Sequence, residues 1–180
     1  MILAPFGLEA VLKKLRPAFQ SAPIRSLLAP GACDPRALHL PRFWRFEVAN
    51  RGLYDVAELR DRHLAEELRT VAETVSGARL RRIRVLRIFR FRRGGYSLLY
   101  DDALSRIESG VEVTLDLSHS IIGAPIIYRS GDRKLVVPQV PGLVAIVERT
   151  PDTYRYDRYV PASAGRAEIR RLRAAFPYAD

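Results

Sequence analysis

Residues 93–102 read Arg-Gly-Gly-Tyr-Ser-Leu-Leu-Tyr-Asp-Asp. Two glycines permit a tight turn. An apolar stretch follows, and Asp101 and Asp102 close it. Adjacent strand residues point to opposite faces, so only one of the two carboxylates faces inward. At a barrel mouth an inward carboxylate can hold a metal. At a turn the same pair caps the segment from Ala103 to Ile107. His119, in Leu117-Ser118-His119-Ser120, has two similar readings: it pairs with Asp101 or Asp102 at such a mouth, or it bonds to a loop carbonyl. His63 falls within a helical pattern and His39 within a proline-rich connection.

Several other chemistries are excluded. There is no Gly-x-Ser-x-Gly nucleophile turn. There is no Gly-x-x-x-x-Gly-Lys-Ser/Thr phosphate loop. No pair of His or Cys residues has metal-ligand spacing. The lone cysteine, Cys33, rules out an internal disulfide framework.

The second chemical signal is basic. The chain carries 27 arginines and three lysines against 20 carboxylates, for a formal charge of +10. Eight arginines fall between residues 79 and 93, interleaved with Ile83, Val85, Ile88, Phe89 and Phe91. On a strand Arg82, Arg84, Arg90 and Arg92 share one parity. Such a face can track a phosphate backbone while nearby aromatics stack on bases. Arg166, Arg170, Arg171 and Arg173 form a second group, and Arg155 and Arg158 with neighbouring tyrosines a third. Nucleic acid and an acidic protein are the partners this charge suggests. The competing reading pairs the arginines with carboxylates across a solvated surface.

Composition bounds the scaffold. The hydrophobic share of 48% is too high for a disordered chain, and 180 residues suffice for one sizeable core. No apolar run approaches a membrane span, and Lys13 and Lys14 follow the apolar start, the reverse of a signal peptide. The expectation is a cytoplasmic protein.

Positioning elements follow from periodicity. Residues 7–20 carry a helical stripe, and residues 22–42, rich in proline, read as an irregular connection. Phe43 to Val48 reads as a strand. The spacing predicts a helix over 55–76, with Asp55 and Glu58 as a capping box and Gly77 as C-cap. After Gly77 the period changes to two. Strands are expected over 83–91, 111–117, 126–128, 135–137, 143–148 and 153–160, the cleanest having Val111, Val113, Leu115 and Leu117 on one face and Glu112, Thr114 and Asp116 on the other. A last helix is expected over 165–176. The class is α+β. Residues 1–42 form an N-terminal helix and connection, and residues 43–180 one compact unit.

With these residues in place, the segment from Val75 to Asp102 resembles the entry to the jelly-roll core of the 2-oxoglutarate- and Fe(II)-dependent dioxygenases, in their prolyl-hydroxylase branch. The glycine turn Gly94-Gly95-Tyr96, the strand ending in Leu117-Ser118, the stretch from Gly123 to Tyr128 and the hairpin from Val137-Pro138 to Ile146 carry the likeness, which spans roughly residues 40–175. The resemblance implies N-terminal helices packed on a C-terminal double-stranded β-helix, with Fe(II) and 2-oxoglutarate as cofactors. It places Tyr96 and Arg166 at the cosubstrate, Arg166 holding its carboxylate. It places Asp102 at the iron carboxylate and Tyr100 where the first histidine ligand belongs. The distal histidine falls near Tyr154–Tyr156, where Arg155 is the nearest match. No histidine occurs after His119, and a guanidinium cannot ligate iron.

Two classes of function follow. One is an oxygenase-like enzyme with an altered metal site drawn from Asp102, Tyr100, Asp101 and His119. The other is a non-catalytic homologue that binds through its basic faces.

Overall fold

The structure is a computed structural model that describes residues 19, 24–36, 38–48, 52–98 and 108–179. Eleven strands appear in chain order: β1 Ser26–Ala29, β2 Trp44–Val48, β3 Gly52–Leu59, β4 Leu86–Phe91, β5 Tyr96–Ser97, β6 Gly110–Asp116, β7 Ile126–Ser130, β8 Arg133–Val137, β9 Val144–Arg149, β10 Thr153–Asp157 and β11 Ile169–Pro177. Helix α1 spans Arg62–Ser76. The large sheet has the order β1-β9-β6-β11-β4-β3-β2, with β5 also pairing β3, and the small sheet the order β10-β7-β8. Every pairing is antiparallel. Two facing sheets of this kind make a jelly roll.

Helix α1 covers the outer face of the large sheet. Its apolar stripe, Leu64, Leu68, Val71 and Val75, packs on Ile88, Val113, Leu115, Leu172 and Phe176. Asp61 caps it, its carboxylate accepting from the Leu64 N–H, and Gly77 ends it at φ 74°. The inner face packs against the small sheet through Tyr128, Val137, Ala145 and Val147. No helix among the described residues is long and apolar enough to cross a membrane.

Three expectations change. The helix expected over 55–76 begins only at Arg62, because Asp55–Leu59 pairs along β4 as part of β3. Asp61, rather than Asp55, is therefore the cap. The helix expected over 165–176 is β11, paired with β4 on one side and β6 on the other. Its apolar residues fit a helical stripe, but Leu172, Ala174 and Phe176 also share one strand face and meet α1's core. Tertiary pairing overrides the helix propensity of Arg, Leu and Ala. The arrangement of N-terminal helices on a C-terminal barrel is replaced accordingly. One α-helix is present among the described residues, and β1, β2 and β3, from the N-terminal part of the chain, join the large sheet. The helical stripe over 7–20 lies almost wholly outside the described residues.

Candidate functional site in the barrel interior

Residues of β6 alternate strictly, yet both faces are buried. The odd residues meet the helix side. The even ones, Glu112, Thr114 and Asp116, point into the space between the sheets, and none is more than 3% exposed. A polar strand face that is not solvated must find its partners inside.

Glu112 finds three. Its carboxylate accepts from Arg149 on β9 at 2.6 Å, from Arg155 on β10 at 2.5 Å and from the Tyr128 hydroxyl on β7 at 2.6 Å. Burial by itself pushes the Glu112 carboxyl up. The guanidiniums of Arg155, Arg149 and Arg173 and the Tyr128 hydrogen bond outweigh it, and hold the group down to about 2. Burial, with the Glu112 charge beside it, pushes the Tyr128 phenol up. Arg149 also donates to the Thr153 carbonyl, which fixes the turn between β9 and β10.

A second centre lies around Asp157 at the end of β10. Arg171 and Arg173, successive inward residues of β11, both donate to its Oδ1. Ser97 on β5 donates to Oδ2 at 2.7 Å and accepts from the Asp157 N–H at 2.9 Å. Arg171 reaches the Ala124 carbonyl with its other nitrogen. Burial opposes ionisation of Asp157, but Arg173 and Arg171 win and hold the carboxyl well below the usual range. Side chains from β5 and β11 thus meet on one carboxylate of β10.

A cavity of about 440 Å3 opens beside these centres. Glu112, Arg149, Arg155 and Arg173 line its deep side. Phe89, Val85, Ile83 and Phe176 form apolar wall, and Arg87, Glu58 and Glu108 stand at the rim.

The candidates read from the sequence distribute differently. Tyr100, Asp101 and Asp102 lie outside the described residues. His119 is exposed beyond β6, and His39 and His63 are exposed as well. Tyr96 is half-buried on β5, paired with Leu53. Arg166 is exposed before β11, where the inward basic residues are Arg171 and Arg173. Arg82 and Arg84 precede β4 and are exposed, and Arg82 lies 3.6 Å from Glu66. Arg90 pairs with Asp55 at 2.8 Å, and Arg92 stands 3.6 Å from the same carboxylate. The four arginines thus do not form one strand face. Among the described residues no group of three His, Cys, Asp or Glu is placed to hold a metal.

Arg155 was singled out by the sequence, and the structure puts it on the Glu112 carboxylate. Arg173 belongs to the second basic group and is placed on Asp157, whereas Glu112, Arg149 and Asp157 were not among the candidates. The one available signal was the strict polar alternation of β6.

No family model matches the chain, and no curated protein matches it. Solved structures match its fold over nearly the whole length. A 2OG-Fe(II) oxygenase family protein from Burkholderia pseudomallei superposes with a TM-score of 0.65 at 14% identity, over 98% of this chain and 94% of that one. A Trichoplax adhaerens prolyl hydroxylase, bound to a hypoxia inducible factor peptide fragment, gives 0.66 at 8% identity over 94% and 90%. A Pseudomonas putida prolyl-4-hydroxylase gives 0.61 at 12% identity over 96% and 100%. The chain therefore has the fold of the 2OG-Fe(II) oxygenase superfamily.

Proposed function

We propose that this chain keeps the oxygenase fold but works by binding, its interior having exchanged an iron site for a fixed network of ion pairs. The proteins it resembles in fold include 2OG-Fe(II) oxygenases and prolyl hydroxylases. An Fe(II) centre of that kind needs two imidazoles and a free carboxylate on one inward face. The described interior offers no imidazole, since all three histidines are exposed. Of its inward carboxylates, Asp116, whose Oδ1 accepts from the Ser118 N–H, belongs to no group of three metal-ligating side chains among the described residues, and Glu112 and Asp157 are each already held by two guanidiniums. A cation entering there would have to displace those arginines and face their charge. The described residues do not fit the metal.

The observation that carries this reading is Arg155 on the Glu112 carboxylate, a permanent cation where the resemblance calls for an imidazole. What the interior can do is fix charge: it holds preorganised guanidiniums in a dry setting, where their attraction for an anion is strong. The test is an anaerobic titration with Fe(II) and 2-oxoglutarate, read by calorimetry and by the visible charge-transfer band of the ternary complex. No saturable band is expected. A band that saturates at one equivalent of iron would overturn the proposal.

A further inference from the structure

We propose that strand β2 is a docking edge for a second copy of this chain, the two strands pairing antiparallel about a two-fold axis at Phe46. The proposal goes beyond the binding reading above and does not rest on it.

The argument begins with the sheet edge. β2 ends the large sheet, pairing β3 on one side, and no strand among the described residues pairs its other side. An unpaired edge presents a row of backbone donors and acceptors to any strand that can lie beside it. Lysine, proline or a bulge commonly blunts such an edge, and β2 has none of the three. It reads Trp-Arg-Phe-Glu-Val and keeps unbroken register with β3 over its whole length. It also leaves Trp44 50% and Val48 38% exposed. The other edges differ. β1, at the far end of the large sheet, is mostly buried, and β8, an edge of the small sheet, carries Arg133 and Lys134 together.

The order of residues in β2 identifies the occupant. A two-fold axis perpendicular to the sheet joins like face to like face, so residues opposite one another across the seam share a parity. With the axis at Phe46, Trp44 meets the second copy's Val48, Phe46 meets its own counterpart, and Arg45 meets the second copy's Glu47. With the axis one residue earlier Arg45 faces Arg45, and one residue later Glu47 faces Glu47. Opposite charges across a strand pair stabilise it and like charges destabilise it. The Phe46 register alone matches charge to charge and apolar to apolar.

Both faces of β2 suit that seam. Arg45 and Glu47 lie on the solvated face, their side chains 61% and 64% exposed, and pair with each other at 2.8 Å along the strand. They are free to exchange that weak contact for two across the seam. On the other face Phe46 stacks on Tyr54 at 4.7 Å and packs on the cluster that holds Tyr54, Val56 and Phe91. Trp44, opposite Val56, shares that face with Phe46 and Val48. Pairing therefore extends an apolar cluster that the monomer already has.

Sedimentation of the full chain, from low micromolar to several hundred micromolar, tests the assignment. A five-residue seam lies at the small end of specific interfaces, so we expect a reversible dimer in the micromolar range. Emission from Trp44, the single tryptophan, should shift to the blue as the dimer forms. Glu47→Arg sets arginine against arginine across the seam, and Arg45→Glu sets glutamate against glutamate. Each variant, altered at an exposed position, should unfold near the wild-type temperature and associate about tenfold or more weakly. Mixed in equal amounts, the two variants are complementary at every charged pair and should dimerise as the wild type does. A wild-type chain that stays monomeric over this range, a Glu47→Arg dimer of unchanged strength, or a mixture no more associated than its components would each overturn the proposal. Growth beyond two copies would also overturn it, because a two-fold seam closes on itself.

Discussion

At Glu112 two guanidiniums and a phenol converge on one carboxylate that water does not reach. Removing a single partner from such a cluster is worse than never having built it, because the remaining charges stay buried and unpaired. Glu112→Gln is therefore expected to lower stability by about 3–5 kcal/mol in urea or thermal unfolding. The same group sets an acid limit. Its carboxyl is held at about 2 in the folded chain against an ordinary 4.5, so its contribution is fully present above pH 4.5. That contribution is lost as pH falls from there toward 2. Asp157 is also held low and adds to the same acid loss. Unfolding free energy measured between pH 6 and pH 2 should fall steeply in the wild type and less steeply in Glu112→Gln. Equal slopes would show that Glu112 is not the titrating group. Cys33 makes a separate prediction. Burial, reinforced by Asp116 and Asp34, pushes its thiol up to about 12. The thiolate is the reactive form, so a thiol reagent at pH 8 should leave the native chain unlabelled and label one equivalent in denaturant.

Elements place those residues, and two can be tested singly. Asp61→Ala removes the side chain that accepts from the Leu64 N–H at the start of α1, and should cost about 1 kcal/mol. A loss of less than a few tenths would mean that the helix start is held by its packing alone. Gly110 opens β6 where it runs against β11. A Cβ there would sit 2.1 Å from the Phe176 carbonyl oxygen and 2.8 Å from the Pro177 Cα, both backbone atoms. Gly110→Ala should therefore cost about 1–3 kcal/mol as overpacking, visible as a lower urea midpoint. How far the elements were legible depended on whether local pattern and tertiary pairing agreed. They agreed for β6, β7, β8 and β9, where alternation and turn residues pointed the same way. They disagreed at β11. Ile169, Leu172 and Phe176 match a helical stripe, although on the strand Ile169 faces away from Leu172 and Phe176, and arginines at 171 and 173 read as a solvated helix face. Only the buried Asp157, from a different strand, makes those arginines inward residues. The charge network was illegible for the same reason. Each ion pair joins residues from separate strands, and no local pattern encodes who neutralises whom.

At the scale of the whole molecule, the order of strands in the sheet differs sharply from their order in the chain. β11 is the last strand in sequence, yet it lies inside the large sheet between β6 and β4. It supplies Leu172, Ala174 and Phe176 to the core beneath α1, and Arg171 and Arg173 to Asp157 on the opposite side. Such long-range pairing is slow to form and cannot be replaced by local contacts. The jelly-roll architecture was legible from the turn and strand motifs of residues 94–146. The closing role of β11 was not, since it depends on pairing with strands more than fifty residues earlier. A chain ended after Glu168 loses the central strand, opens two inner edges, β4 and β6, and leaves Asp157 buried without its two cations. Unpaired edges and an uncompensated buried charge are both strongly unfavourable. The truncated chain should therefore lack a cooperative urea transition by circular dichroism and bind a hydrophobic dye, as compact states without fixed packing do. A sharp transition with the wild-type slope would mean that the two sheets hold together without β11. The buried pairs on Asp157 would then be a consequence of the fold rather than part of what closes it.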